Sequence, residues 1–277
     1  MELRGANALL TGAAGGLGGY IARALATEGV DLVLSDLPGS GLEGLQAELR
    51  GRGVRAEAVT ADLTDTSSIS SLATGAEAAI GPIDILVNNA GVEFARSFGE
   101  ATREELETIT SVNLLALMEL TRVVLPRMLS RRRGHIVNVA SLAGKLPAPY
   151  LATYCATKHG VVGFTHSLRA EYGSTPLGFT AICPGFISRV GMYGRIEGLV
   201  PEIPPELSTS PPERVGEAVV LAIRDNRAEL IVNSRPTRPL TVLAAAAPAA
   251  LIRLLRRERL MQFARSYGEA RKLEQDA

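Results

Sequence analysis

Tryptophan is absent and aromatic residues make up only 4% of the 277-residue chain, so a stacking surface for nucleic-acid bases is not expected. Neither sign of charge is in excess. The 29 Lys and Arg stand against 29 Asp and Glu, which removes the basic balance of a dedicated nucleic-acid binder. Cysteine is scarce: Cys155 and Cys183 sit in apolar surroundings without C-x-x-C or Cys/His spacing, which excludes a disulfide framework and a zinc site and points to a reducing compartment. The three histidines supply no metal site either, because His135 opens a strand-like run and His159 and His166 lie on one helical stretch with no third ligand. Long apolar runs are missing. No uncharged run reaches the about 20 residues that span a bilayer, and Pro239 to Ile252 is further broken by Pro248. Met1 to Leu10 lacks the apolar core of a secretory signal, so a cytoplasmic chain is expected.

What the sequence does contain is apolar residues, 46% of the total, and 28 glycines. Short runs rich in Val, Ile and Leu alternate with segments of helical period, the mark of βαβ units and a parallel sheet. Seven strands are expected, at Ala6–Leu10, Asp31–Ser35, Arg55–Thr60, Ile83–Asn88, His135–Val139, Leu177–Cys183 and Leu230–Val232. Helices are expected between them, at Gly16–Glu28, Leu42–Arg50, Ser67–Ile80, Glu104–Met128, Ala152–Tyr172 and Pro212–Arg224. The reading is a doubly wound α/β domain of Rossmann type over 1–234, with helices on both faces of a seven-stranded sheet and a helical extension over 235–277.

The first strand feeds straight into Thr11-Gly12-Ala13-Ala14-Gly15-Gly16-Leu17-Gly18-Gly19 and then a helix. A turn without Cβ atoms lets backbone N–H groups approach a pyrophosphate at a helix N-terminus, so strand, glycine loop and helix in this order predict a dinucleotide site. Asp36 ends the second strand, where a carboxylate can accept hydrogen bonds from ribose hydroxyls and repel a 2′-phosphate. No Arg or Lys occupies the glycine loop or follows Asp36, so NAD is expected over NADP. The alternative for Asp36 is that it opens the Leu37-Pro38-Gly39 turn.

The fifth strand ends at Ser141, and Tyr154 and Lys158 follow on one helix, four apart and on one face. An ammonium beside a phenol favours the phenolate, so the pair is expected to lower the tyrosine's pKa and let it exchange a proton with a substrate hydroxyl.

These residues, with three further motifs in order, resemble the short-chain dehydrogenase/reductase family over roughly the first 190 residues. The motifs are T-G-x-x-x-G-x-G at Thr11 to Gly18, Asp62-Leu63, Asn88-Asn89-Ala90-Gly91, Ser141 with Tyr154-x-x-x-Lys158, and Pro184-Gly185. The resemblance implies that Thr11, Gly12, Gly16, Leu17 and Gly18 form the pyrophosphate loop, that Asp36 meets the ribose, and that Asp62 and Leu63 meet the adenine. It implies that Asn89, Ala90 and Gly91 hold the central sheet against the cofactor and that Pro184, Gly185 and Ile187 pack on the nicotinamide. Ser188 stands where the family often has Thr, keeping the hydroxyl that contacts the carboxamide. Tyr154 would be the acid/base, Lys158 would lower its pKa and bind the nicotinamide ribose, Ser141 would hydrogen-bond the substrate oxygen, and Asn113 would anchor a proton-relay water. The resemblance also implies a homodimer or homotetramer, paired through the helices at Glu104–Met128 and Ala152–Tyr172.

The segment 186–212 is the variable flap of similar proteins, and here it carries Met192, Tyr193, Ile196, Leu199, Val200, Ile203 and Leu207. An apolar flap fits a hydrophobic small-molecule alcohol or ketone, of steroid, terpenoid or lipid type. The rivals are an NADP-dependent carbonyl or 3-oxoacyl reductase and a nucleotide-sensing scaffold without catalysis. Residues 235–277 hold nine Lys and Arg against four Asp and Glu. After Pro248, Leu251, Ile252, Leu254 and Leu255 oppose Arg253, Arg256 and Arg257, the pattern of a basic amphipathic helix. It would pack on the chain's own pocket or a partner subunit, or dock on an anionic membrane surface.

Overall fold

The computed structural model describes residues 1–204 and 207–276. Seven strands form one parallel sheet: β1 (Asn7–Thr11), β2 (Asp31–Ser35), β3 (Ala56–Ala58), β4 (Ile85–Asn88), β5 (His135–Val139), β6 (Gly178–Pro184) and β9 (Glu229–Val232). Their order is β3-β2-β1-β4-β5-β6-β9, so the chain winds outward in both directions from the gap between β1 and β4. The central strands are buried along their whole length, which is why apolar residues fall on both faces of each rather than alternating with polar ones.

Helices α1 (Gly18–Thr27), α2 (Leu42–Gly51) and α8 (Glu213–Asp225) cover one face, burying Ile21, Leu25, Leu49, Val219 and Ile223 against Leu10, Leu32 and Ile85. Helices α3 (Thr66–Ile80), α5 (Ala116–Arg131) and α6 (Ala152–Glu171) cover the other, where Leu72, Leu120, Val124 and Met128 meet Leu9, Leu86 and Ile136. Full burial of each such side chain is worth about 1.5–3 kcal/mol against exposure.

The segment expected as one helix over Glu104–Met128 is two. Helix α4 (Arg103–Thr110) starts on a Thr102/Glu105 capping box and passes into a π turn over Ser111–Leu115 before α5 begins. Arg103–Arg131 is long and apolar enough to cross a membrane by length and composition, but it belongs to the helical layer on the sheet.

The flap contains β7 (Phe186–Ile187) and β8 (Thr209–Ser210), paired in a small second sheet, and the single turn α7 (Gly191–Gly194). Its residues 205 and 206 lie outside the described residues. The extension forms three helices instead of one: α9 (Arg238–Ala246), α10 (Pro248–Leu255) and α11 (Glu258–Asp276). Leu251 is buried whereas Ile252 is exposed, so α10 buries one side only, and α11, which sequence periodicity did not single out, makes the deeper contact.

Candidate active site

A cleft of about 980 Å³ opens at the C-terminal ends of β1 and β4, at the point where the strand order reverses, the usual place for a ligand in a doubly wound sheet. Gly12, Gly16, Leu17, Asp36, Asp62, Leu63, Asn89, Ala90, Gly91, Ser141, Tyr154, Lys158, Pro184, Gly185 and Ile187 all line it. Most of the residues picked out in the sequence therefore share one wall.

Two turns are sewn together at the bottom of this cleft. Thr11 Oγ1 accepts from the backbone N–H groups of Asn89 (3.1 Å) and Ala90 (3.2 Å), and Asn89 Nδ2 donates to the carbonyls of Thr11 (3.0 Å) and Gly12 (2.9 Å). Gly12 has φ +64°, and a Cβ there would sit 2.7 Å from Ala90 Cα, so only glycine lets the loops close this tightly. Thr11 thus acts from beneath the loop, where it is 2% exposed, and is not among the cleft's lining residues. Gly18 is likewise corrected: it is buried at the start of α1, where a Cβ would fall 2.2 Å from Gly12 O, so it allows helix and loop to touch and does not line the cleft.

At the far end of the trough, Asp36 Oδ2 accepts from Ala14 N (2.9 Å) and Oδ1 from Leu37 N (2.9 Å). The carboxylate braces the glycine loop and opens the next turn while still facing the cleft, so both readings of Asp36 are compatible with its position. Asp62 Oδ1 accepts from the Thr64 backbone N–H (2.8 Å) and hydroxyl (2.7 Å) and sets the turn beside Leu63. The dinucleotide fits this chain on its own geometry: a glycine cradle with no room for Cβ atoms, a carboxylate at one end and an apolar seat of Pro184 and Ile187 at the other.

The reactive side chains converge above Gly91. A Cβ on Gly91 would lie 3.2 Å from Asn113 Oδ1 and 3.4 Å from Lys158 Nζ. Lys158 Nζ donates to Val139 O (3.0 Å) at the end of β5 and stands 5.6 Å from the centre of the Tyr154 ring. Ser141 caps a short turn, accepting from Ala143 N (3.1 Å) and donating to Pro184 O (3.4 Å). Asn113, in the π turn, donates to Val92 O and accepts from Val92 N, both at 2.8 Å. The widened turn swings its amide inward onto the loop after β4, which explains why the helix is broken there.

Burial of the Tyr154 phenol works against the lowering expected from Lys158. Burial, and then the Glu93 carboxylate, push the phenol well above its usual 10, with the Ser141 hydroxyl pulling partly the other way. Burial also lowers Lys158 to about 8. With both groups out of water, desolvation of the charged forms outweighs their proximity. Ser188 departs too: its N–H (3.1 Å) and hydroxyl (3.4 Å) go to Ser210 O, which ties β7 to β8, and it is not among the lining residues.

The remaining wall is mostly apolar, from Phe94, Leu146, Met192, Leu207, Leu260 and Phe263. Phe186 joins the flap to α11, with ring centres 5.7 Å from Phe263 and 5.8 Å from Tyr267. Glu93 and Arg271, which no motif had marked, also line this half of the cleft. Glu93 directly follows the Asn88-to-Val92 stretch, and the apolar spacing of Phe263, Tyr267 and Ala270 on α11 was the signal for the helix that carries Arg271.

Fold and cleft together define a Rossmann-type nucleotide-binding oxidoreductase. The chain belongs to the short chain dehydrogenase family, whose model matches residues 6–197. It is 41% identical over 245 residues to "Ketoacyl reductase HetN" of Nostoc sp., covering 88% of this chain and 84% of that protein. It is 40% identical over 187 residues to "Oxidoreductase UcpA" of Escherichia coli, covering 67% and 71%. Among solved structures, a metagenomic short-chain oxidoreductase in complex with NADP superposes with TM-score 0.71 at 32% identity, over 86% of this chain and 99% of that one. An actinorhodin polyketide ketoreductase solved with NADPH gives TM-score 0.73 at 33% identity, over 82% and 95%.

Proposed function

We propose that this oxidoreductase interconverts a secondary alcohol and a ketone on a hydrophobic substrate, with Tyr154 giving and taking the proton. The observation that carries the reading is the meeting of Ser141, Tyr154 and Lys158 where the glycine-floored trough opens into an apolar pocket. A bound nicotinamide dinucleotide supplies hydride chemistry; the chain's own residues bind, orient and move one proton. Tyr154 holds its proton at neutral pH, the state that suits donation to a ketone oxygen as charge grows there. Ser141 directs a hydroxyl at the same oxygen, and Lys158 stands ready for the ribose. Asn113 holds the loop after β4 through Val92, and from there it is placed to anchor the proton-relay water.

Gly12, Gly16 and Leu17 would lie under the pyrophosphate, Asp62 and Leu63 beside the adenine, and Pro184, Gly185 and Ile187 against the nicotinamide. Asp36 favours NAD, because its carboxylate faces the place of a 2′-phosphate and no cation follows it in sequence. The NADP and NADPH of the two solved relatives favour the other nucleotide. The ketoacyl-reductase name of the Nostoc relative supports a 3-oxoacyl ketone within the hydrophobic class. Absorbance of the reduced nucleotide, followed over a panel of hydrophobic ketones with both nucleotides, tests the reading. Turnover confined to small polar polyols would reverse the substrate class, and nucleotide binding without any turnover would favour a sensor.

Self-association fits the exposed Leu115 and Met118 at the π turn and the start of α5, and light scattering reads it directly. A peripheral contact with an anionic membrane falls to α9, α10 and the turn after it, where Arg238, Arg253, Arg256 and Arg257 accompany exposed Val242 and Ile252. Vesicle flotation tests that contact.

A further inference from the structure

Helix α11 brings a built polar group to an otherwise apolar pocket. Glu93, Tyr267 and Arg271 are each 5% exposed or less. Tyr267 donates its hydroxyl to Glu93 Oε1 at 2.8 Å, and Arg271 Nε donates to the same oxygen at 3.0 Å. Arg271 Nη1 bonds Glu274, whose other oxygen is paired with Arg195 of the flap at 3.2 Å. Gln275 donates to the Glu93 carbonyl, so even the backbone of this loop is held by α11. The close seat of the helix is prepared by Gly268, where a Cβ would come 3.3 Å from the Tyr150 ring.

Such a cluster needs a reason. Helix packing alone would be met more cheaply by apolar residues, since two buried charges cost desolvation that their attraction barely returns. The hydrogen bonds of Arg271 run through Nε and Nη1, and those of the Glu93 side chain through Oε1. Among the described residues, one guanidinium nitrogen of Arg271 and one carboxylate oxygen of Glu93 are left without a hydrogen bond, and both residues line the cleft. They offer one donor edge and one acceptor to the cleft that Tyr154 also lines.

We propose that Glu93, Tyr267 and Arg271 form a second polar anchor for the substrate, which recognises an uncharged oxygen group separate from the carbonyl at Tyr154. The ligand class is a hydrophobic ketone or alcohol bearing a second carbonyl or hydroxyl. Charge decides against an ionised group: Glu93 and Glu274 alternate with Arg271 and Arg195, so an anion or a cation would meet its own sign as closely as the opposite one. Arg271 Nη2 donates to a carbonyl, and Glu93 Oε2 accepts from a hydroxyl. Tyr267 is a positioning residue that holds the Glu93 carboxylate in place.

The inference rests on the ketone-reductase reading, and a matched pair of probes separates the two. Ethyl 3-oxooctanoate and 6-undecanone have the same chain length and ketone position, and only the first carries a second carbonyl. The wild-type protein is expected to favour the ester by about tenfold in kcat/KM, the worth of one buried hydrogen bond. Arg271→Lys keeps the charge beside Glu93 but loses the free donor edge, and is expected to erase that preference by weakening the ester alone. Tyr267→Phe should reduce it partway, mainly through KM. A purely structural role would lower both substrates equally in both variants and would overturn the anchor. Calorimetric binding of the two probes to Tyr154→Phe reads the anchor without chemistry: equal affinities there sink the anchor, whereas an intact preference with no turnover of either probe by wild type sinks the ketone-reductase reading instead.

Discussion

The phenol of Tyr267 and the carboxylate of Glu93 meet at 2.8 Å although 174 residues separate them in the chain. Burial raises the Glu93 pKa, and Arg271 and the Tyr267 hydroxyl hold it down, so the carboxylate depends on the helix that covers it. Removing one partner of a buried pair leaves a charge without compensation. Glu93→Ala should therefore cost about 3–5 kcal/mol in urea unfolding, while joint replacement of Glu93 and Arg271 by Gln costs much less. Additive losses would show that the two side chains do not act as a pair.

Tyr154→Phe removes the one proton that the proposed chemistry moves, and leaves the glycine cradle untouched. Turnover should fall by a factor of about 10²–10⁴, and nucleotide affinity should stay within about twofold. Stopped-flow rates and fluorescence titration measure the two separately. A variant that retains its turnover would take Tyr154 out of the mechanism.

The nucleotide preference has a local test. Asp36→Ala with Leu37→Arg removes the carboxylate at the end of β2 and adds a cation beside it. The ratio of kcat/KM for NADP over NAD should rise by more than about tenfold, because a guanidinium then meets the 2′-phosphate where a carboxylate had repelled it. If wild type already prefers NADP, Asp36 acts as the brace of the Ala14 turn and the double variant would lose affinity for both nucleotides.

Most of the sheet was legible because each central strand is buried at every position and mostly apolar on both faces, and the glycine loop was legible because strand, turn and helix follow without a break. The wall from Gly12 to Ile187 could be assembled from motifs alone. Three features could not. The π turn at Asn113 shows no periodicity of its own, since the apolar spacing runs through it into α5. Gly18 and Gly12 look alike in sequence, but only Gly12 faces the cleft; at Gly18 a Cβ would fall 2.2 Å from the Gly12 carbonyl oxygen, so glycine is needed there for packing. The polar cluster at Glu93 joins a loop to a helix near the end of the chain, and such a partnership is set by tertiary packing.

His135 gives a pH dependence with a definite sign. Its ring is 2% exposed at the start of β5, with Nε2 2.8 Å from Thr180 Oγ1, and a Cβ on Gly178 would fall 2.2 Å from Nδ1, so the pocket admits the ring and little else. Burial first, then the N-terminal ammonium and Arg169, lower its pKa from 6.5 to about 3. Between these values the unfolded chain binds a proton that the folded chain refuses, so acidification favours unfolding throughout that window. Stability should fall by up to ~1.4 kcal/mol per pH unit as pH drops below 6.5, and this contribution should be flat above it. His135→Gln keeps a partner for Thr180 and cannot be protonated. Urea unfolding of the two proteins from about pH 7 to about pH 4 should show the variant's curve less steep in acid, with the gap between them changing by on the order of 3 kcal/mol. Parallel curves would mean that the imidazole finds its proton without leaving the fold, and that the acid sensitivity arises elsewhere.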